Sequence, residues 1–181
     1  CIRDRLRAAM EKAATMLSSV NTLSQRGNYP FVQFRVTPNG TTSTKFISKG
    51  MDATSLSIKL NNAQTIECNT SSGSYWDNNQ VDETTKKIST HVSKDGAVCF
   101  SKDGSYFKAH GTLKNNLNVT VENRSTNQYL ILCTTSNASN GGKCPLDQGG
   151  GLEKPAYLVE WTRFGNISKF KWSGSDWTRQ N

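Results

Sequence analysis

Histidine is scarce in this 181-residue chain, and no catalytic fingerprint accompanies the two that occur. His91 and His110 belong to no Gly-X-Ser-X-Gly, His-Glu-X-X-His, phosphate-loop or dinucleotide-binding pattern. The sequence therefore contains no motif that indicates nucleophilic catalysis through histidine. No Cys-X-X-Cys pair is present, and a zinc site would need ligands from distant parts of the chain. The sequence therefore predicts a protein that is not an enzyme and that uses no metal or cofactor.

Long apolar runs are also missing, since no stretch approaches the roughly 18 residues that a membrane-spanning helix needs. Serine, threonine and asparagine supply 56 residues, and such side chains favour turns and solvated strand faces over helix interiors. Lysine and arginine total 22 against 14 aspartate and glutamate residues, which gives a net charge of +8. A mainly helical protein is not expected, and the charge indicates anionic partners without locating a site.

The first 25 residues repeat apolar side chains at steps of three and four, which is typical of one face of an amphipathic helix. Gly27 ends the pattern and Pro30 follows it, so we predict a helix from Ile2 to about Gln25. No capping residue precedes Ile2, and we expect this helix to be the lower part of a longer one whose beginning is absent; the alternative is an ordinary first helix of a complete domain. The predicted apolar face holds Ile2, Leu6, Ala9, Met10, Ala13, Leu17 and Val20.

After Gly27 the pattern changes to short strands separated by turn signals. The turn predicted at 38–40 follows the first strand, and a long surface loop is predicted at 69–87. One helix followed by antiparallel strands gives the α+β class, with the long amphipathic helix packed on antiparallel sheets. We divide the chain into the helix, residues 1–26, and one globular β domain, residues 27–181. The predicted strands cover residues 31–36, 45–48, 56–60, 91–92, 97–101, 106–107, 117–121, 129–133, 157–164 and 167–172.

The last two predicted strands form a hairpin that can be placed in register. A two-residue turn at Gly165 and Asn166 pairs Trp161 with Phe170, and it puts one hairpin face into the core. The other face would be solvated, with a cross-strand pair between a carboxylate and a lysine. The predicted core face holds Val159, Trp161, Phe170 and Trp172, and the predicted solvent face holds Glu160, Thr162, Lys169 and Lys171.

Five cysteines are spread over the chain. Cys133 and Cys144 flank a stretch rich in glycine, asparagine and serine, which a disulfide would close as a surface loop. Cys68 and Cys99 are candidates for a second bridge that leaves Cys1 unpaired, and free buried thiols are the alternative. The pattern favours an oxidising compartment outside the cytoplasm.

An amphipathic first helix, antiparallel strands and loop disulfides, in this order, resemble the globular part of type IV pilin-like proteins. Residues 98–105 (Val-Cys-Phe-Ser-Lys-Asp-Gly-Ser) look like a strand–turn segment of the FimT/GspH group of minor pilins and pseudopilins. Residues 157–171, around Gly165, look like the terminal hairpin of that group. The helix sequence Arg-Asp-Arg-Leu-Arg-Ala-Ala-Met-Glu-Lys-Ala is also similar in style to helices of the group.

The resemblance implies a non-enzymatic assembly or tip subunit of a type IV pilus or of a type II secretion pseudopilus. It implies an apolar helix half, absent from these residues, that is processed by a prepilin peptidase and anchors the protein in the inner membrane. Other pilin subunits would be partners through the helix, and the final location would be a filament in the periplasm or at the bacterial cell surface. The helix residues expected in the filament or near the membrane are Ile2, Arg3, Leu6, Arg7, Met10 and Leu17.

Basic and aromatic residues are interleaved near the end of the chain, a combination that suits phosphate contact and stacking on bases. DNA is therefore a second candidate partner, and a receptor pilin for DNA uptake in natural transformation is the alternative function. DNA-binding members of the FimT group place arginines after a glycine, whereas Gly165 is followed by Asn166, Ile167 and Ser168. The candidate DNA-binding residues are Arg163, Phe164, Lys169, Lys171, Trp177 and Arg179.

Two further features suggest a protein used for adhesion. Cys1 as the first residue suits a surface lipoprotein with a lipidated cysteine, although the helical pattern that follows at once differs from the usual flexible tether. Asn-X-Ser/Thr sequons suit a glycosylated ectodomain. The six sequons lie at Asn39, Asn69, Asn118, Asn123, Asn137 and Asn166.

Overall fold

The computed structural model describes residues 1–27, 29–39, 43–51, 80–86, 88–90, 96–102, 107–110, 129–134, 154–162 and 164–181. In this part of the chain one helix, α1 (Ile2–Arg26), is followed by antiparallel strands, so the α+β class predicted from the sequence is confirmed. The predicted strands at 56–60, 91–92 and 117–121 lie outside the described residues. The strands are β1 (Phe31–Asn39), β2 (Ser43–Met51), β3 (Gln80–Lys86), β4 (Ile88–Thr90), β5 (Gly96–Ser101), β6 (Phe107–His110), β7 (Tyr129–Thr134), β8 (Ala156–Trp161), β9 (Ile167–Trp172) and β10 (Trp177–Gln180).

Helix α1 ends one residue beyond the predicted end, at Arg26. Gly27 takes the left-handed conformation, with φ of 75°, and its backbone N–H donates to the carbonyl of Ser24. A side chain at this position would be strained, which is why the glycine marks the helix end in the sequence. The buried residues of α1 are Leu6, Ala9, Met10, Ala13, Ala14, Met16, Leu17, Val20 and Ser24.

Over the residues that the structure describes, the strands form two five-stranded antiparallel sheets. The order is β3-β2-β1-β5-β6 in the first sheet and β10-β9-β8-β7-β4 in the second. One apolar cluster combines α1 with both sheets, and it includes Leu6 and Leu17 of the helix, Phe34 of the first sheet and Trp161 of the second. Each large apolar side chain buried in this way contributes about 1.5–3 kcal/mol relative to an exposed one. The core therefore fixes the helix to both sheets through a single face.

A second, smaller cluster lies on the other face of the second sheet. Ile131 and Leu158 belong to it, whereas their sequence neighbours Leu130 and Val159 belong to the helix-side cluster. Alternate residues of a strand point to opposite faces, so the second sheet is apolar on both of its faces. Phe170 is fully buried in this second cluster.

Strand β1 continues through Pro38, where the sequence predicts a turn. Its pairing with β5 stops at Val36, whereas its pairing with β2 continues to Asn39. At Pro38 the strand is thus paired with β2 but not with β5, and proline is tolerated where a strand has a neighbour on one side only. The predicted turn at 38–40 is wrong for Pro38 and Asn39, which belong to the strand.

Two more predictions for the strands are wrong, and strand β10 is missing from the prediction. Residues 80–86 of the predicted surface loop form β3, the outer strand of the first sheet, and charged residues without strict alternation are usual in such a strand. His110, assigned to a turn from the sequence, lies opposite Ala97 at the end of β6. Strand β10, with four residues, has no predicted counterpart.

The hairpin of β8 and β9 differs from the predicted register by three positions. Trp161 lies opposite Ile167, and not opposite Phe170. The connection contains three residues, because the N–H of Thr162 donates to the carbonyl of Asn166 at 3.0 Å and Gly165 between them takes a φ of 82°. A shift by an odd number of residues moves every side chain of β9 to the opposite face of the sheet.

The register changes which side chains of β9 are buried. Phe170, predicted in the same core face as Trp161, lies in the second cluster, with Trp172 packed against that cluster. Lys169 lies opposite Val159 on the side of α1 and is half-buried, as is Lys171. The hairpin faces derived from the sequence are therefore wrong for β9. They are also wrong for Glu160, which is buried and lies opposite Ser168, not opposite Lys171.

Candidate functional site

The exposed side of α1 carries a row of small hydroxyl side chains, at Thr15, Ser18, Ser19 and Thr22. They follow one another at helical spacing opposite the buried face, and Thr22 Oγ1 donates to the carbonyl of Ser18 at 3.0 Å. We call this row the hydroxyl face. Sequence prediction omitted these residues, although their spacing opposite the apolar stripe is visible in the sequence.

The hydroxyl face borders a groove of about 620 Å³ between α1 and the beginning of β9. Ala14 and Leu23 of the helix and Ile167 of β9 add apolar surface to it. Small side chains allow another backbone to approach closely, as they do between packed membrane helices. The groove thus offers a shallow surface of mixed polar and apolar character along the helix. Its lining residues are Glu11, Ala14, Thr15, Ser18, Ser19, Thr22, Leu23, Arg26, Ile167 and Lys169.

An ion pair joins the two walls of the groove. The ammonium of Lys169 donates to both carboxylate oxygens of Glu11, at 3.0 Å and 3.1 Å. The Lys169 side chain is 23% exposed and the Glu11 side chain 44% exposed, so water reaches the pair. Arg26 lies at the opposite end of the groove, in the last turn of the helix. The groove is therefore charged at both ends and neutral along the hydroxyl face.

The hairpin connection between β8 and β9 rests on the same helix. A Cβ atom added at Gly165 would overlap the side chain of Asn21, so the glycine backbone lies directly against α1. Next to it, Phe164 is 59% exposed. The tip of the hairpin thus rests on α1, and β9 leads from it into the groove at Ile167.

The helix residues predicted for a filament separate into two groups. Ile2, Arg3 and Arg7 are exposed. The other three are buried within the core of this chain and cannot contact a second subunit without unfolding. These buried residues are Leu6, Met10 and Leu17.

The candidate DNA-binding residues do not form one surface. Lys169 and Lys171 lie on the α1 side of the second sheet, whereas Arg179 is paired with Phe170 on the other face. Trp177 is 4% exposed, and its ring centroid lies 5.2 Å from that of Trp172. Phe164 is at the hairpin tip, and Arg163 lies outside the described residues.

Two of the candidate disulfide cysteines can be placed in the structure. Cys99 in β5 and Cys133 in β7 are buried, and each is part of a disulfide bond. Cys1 is a free and exposed thiol. Cys68 and Cys144 lie outside the described residues. Within the part of the chain that the structure describes, no group of three or more histidine, cysteine or acidic side chains is arranged to hold a metal ion.

Two of the six sequons fall on described residues. Asn39 is the last residue of β1, and Asn166 is exposed beside the hairpin connection. The other sequons, at 69, 118, 123 and 137, lie outside the described part of the chain.

Comparison of the chain with protein-family models, with curated proteins and with solved structures finds no match. Over the described ranges, no helix is both long enough and apolar enough to cross a membrane. Inference about function therefore rests on the geometry of α1, the groove and the two sheets.

Proposed function

We propose that this chain is a non-enzymatic assembly subunit of a type IV pilin-like filament, either a minor pilin of a pilus or a pseudopilin of a type II secretion machine. The observation that carries the proposal is the division of α1 into a buried face and a hydroxyl face. One side of the helix is held by both sheets, and Thr15, Ser18 and Thr22 on the other side are exposed. A subunit that packs against its neighbours through a helix requires this division.

The dimensions of the helix suit a filament better than an isolated dimer. A helix of 25 residues is about 37 Å long, and a strip roughly 10 Å wide along it covers about 400 Å². A stable pair of proteins usually buries about 800 Å² on each partner. One helix face is thus about half of what a stable dimer needs, whereas a filament adds the contacts that each subunit makes with several neighbours.

Two further observations support an extracytoplasmic filament. Cys99 and Cys133 are disulfide-bonded, and such bonds persist in the periplasm and at the cell surface. The pilin resemblance of the helix and of the terminal hairpin supplies the partner class, namely other pilin subunits, and an initial anchor in the inner membrane. The strands would then face solvent while the helix faces the filament.

Complementation of a strain that lacks the gene tests this proposal with two matched variants. Thr15→Arg places a large cation on the hydroxyl face, whereas Thr178→Arg makes the same change at an exposed position of β10. We expect Thr15→Arg to abolish surface filaments or secretion and Thr178→Arg to restore them, with equal amounts of folded protein. Full activity of Thr15→Arg, or normal filaments and secretion in the deletion strain, would overturn the proposal.

A further inference from the structure

The first two turns of α1 concentrate positive charge. Arg3, Arg5 and Arg7 are all exposed, and Asp4 is the one acidic residue among residues 1–10. Asp4 lies 3.9 Å from the N-terminal ammonium, and both groups are largely exposed. None of the three arginines forms an ion pair with another group in the described part of the chain. Their guanidinium groups are therefore available to an external anion.

An exposed apolar side chain lies among these arginines. Ile2 is 50% exposed, although it continues the apolar stripe that is buried from Leu6 onward. On a helix with 3.6 residues per turn, Ile2 lies between Arg3 and Arg5 around the axis, and Arg7 follows Arg3 by one turn. We call Ile2, Arg3, Arg5 and Arg7 the cationic turns.

We propose that the cationic turns bind the surface of a bilayer that contains anionic lipid. Guanidinium groups pair with lipid phosphates, and each basic residue near an anionic membrane adds to the attraction. Ile2 gains free energy by entering the boundary between headgroups and acyl chains, as apolar residues of interfacial helices do. Lipid binding concerns the isolated chain and does not depend on filament assembly.

Nucleic acid is the competing anionic partner, and the same observations favour it less. Single-stranded binding uses aromatic side chains as stacking platforms, and residues 1–10 contain no aromatic residue. An exposed isoleucine beside three arginines gains nothing from a phosphate backbone, whereas a bilayer offers it an apolar phase. The combination of positive charge with one exposed apolar side chain therefore favours a lipid surface over nucleic acid as the partner.

The expected binding is weak. Three arginines at about fivefold each, together with partial burial of one isoleucine, increase partitioning onto an anionic bilayer by roughly a thousandfold. Such a contact orients a helix at a membrane but does not anchor a protein there by itself.

Vesicle flotation with the 181-residue chain tests the proposal. The vesicles are phosphatidylcholine alone or phosphatidylcholine mixed with phosphatidylglycerol, at low salt and at about 1 M salt, where the Debye length is roughly 3 Å. The variants are the triple change Arg3→Gln, Arg5→Gln and Arg7→Gln, the change Ile2→Ser, and the control Arg26→Gln at the other end of the helix. Circular dichroism verifies that each variant is folded, which is expected because all these side chains are exposed.

We expect the protein to float only with vesicles that contain phosphatidylglycerol, and we expect this binding to be lost at high salt. The triple variant should bind these vesicles about a hundredfold more weakly. Ile2→Ser should reduce binding severalfold, and Arg26→Gln should bind like the unaltered chain. Equal binding to phosphatidylcholine alone, or unchanged binding by the triple variant, overturns the proposal. It is also overturned if vesicles are not bound while duplex DNA is retarded through the same arginines. Failure here leaves filament assembly in cells, which the Thr15→Arg experiment measures, unaffected.

Discussion

Lys169 on β9 donates to both carboxylate oxygens of Glu11 on α1, which joins the terminal hairpin to the helix across 158 residues of sequence. The contact exists because the hairpin register turns Lys169 toward the helix and not toward solvent. Together with Gly165 against Asn21, it determines where β9 lies beside the hydroxyl face. The groove therefore depends on the observed register of β8 and β9, which differs by three positions from the register that a two-residue turn would give.

A double-mutant cycle should measure this ion pair. We expect Glu11→Gln and Lys169→Met to show a coupling free energy of about 0.5–1 kcal/mol in urea unfolding at low salt, decreasing as salt is added, because water reaches the pair. Lys171→Met, two residues along the same strand, is the matched control and should show no coupling with Glu11→Gln. Equal coupling for both lysines would contradict the pairing of Lys169 with Glu11.

Gly165→Ala should destabilise the protein more than Gly27→Ala. Both glycines have positive φ, 82° and 75°, so each alanine adds backbone strain of about 1 kcal/mol. Only the alanine at 165 also overlaps Asn21, whereas the nearest atom to a Cβ at 27 is Lys102 Nζ at 4.0 Å. We therefore expect Gly165→Ala to lower the free energy of unfolding by about 2–4 kcal/mol, including the overpacking cost. Equal effects in chemical denaturation would show that the hairpin tip does not rest on the helix.

The elements that the sequence predicts correctly are those with local signals, and the elements that it does not predict depend on contacts between distant residues. The bounds of α1 were predicted to within one residue, because its apolar period and Gly27 are local signals. Strand β3 was missed because its pattern is polar and its place at a sheet edge depends on β2. The register of the last hairpin was missed because Gly165-Asn166 also fits a two-residue turn, and the choice depends on the contact with Asn21.

The candidate site was only partly predictable, because some of its residues are placed by local periodicity and others by contacts between distant parts of the chain. Arg3 and Arg7 are exposed where helical periodicity puts them outside the apolar face. The burial of Trp177 beside Trp172 depends on β10, a strand too short to give a pattern. Pairing of Lys169 with Glu11 requires the three-dimensional register, which no local signal in the sequence contains.

Trp177 should behave as a core residue and not as a DNA ligand. We expect Trp177→Ala to lower the free energy of unfolding by about 3–5 kcal/mol, since the indole is 4% exposed and packs on Trp172. Thr178→Ala, at the next and exposed position, should change it by less than about 0.5 kcal/mol. Gel-shift titration over salt provides the second readout. A Trp177→Ala protein that is as stable as the unaltered chain but loses retardation of DNA would favour the DNA-receptor interpretation.

The isolated chain should be a monomer at micromolar concentration. The hydroxyl face covers about half of the area that stable pairs bury on each partner, so a single contact of this kind is not expected to hold two copies together. Sedimentation velocity of the Cys1→Ser variant, which cannot form a bridge through Cys1 and keeps the disulfide bonds of Cys99 and Cys133, measures this directly. A stable dimer that Thr15→Arg disrupts would show that the face forms a closed pair instead of a filament.

Crosslinking in intact cells tests the central claim, that subunits meet through the exposed side of α1. In a Cys1→Ser background, Ser18→Cys puts a thiol on the hydroxyl face, and Thr178→Cys puts one on β10. A short bis-maleimide should link the Ser18→Cys protein to itself or to a pilin subunit carrying a cysteine in its own helix, and should leave Thr178→Cys as a monomer. Products with Thr178→Cys and none with Ser18→Cys would contradict the account.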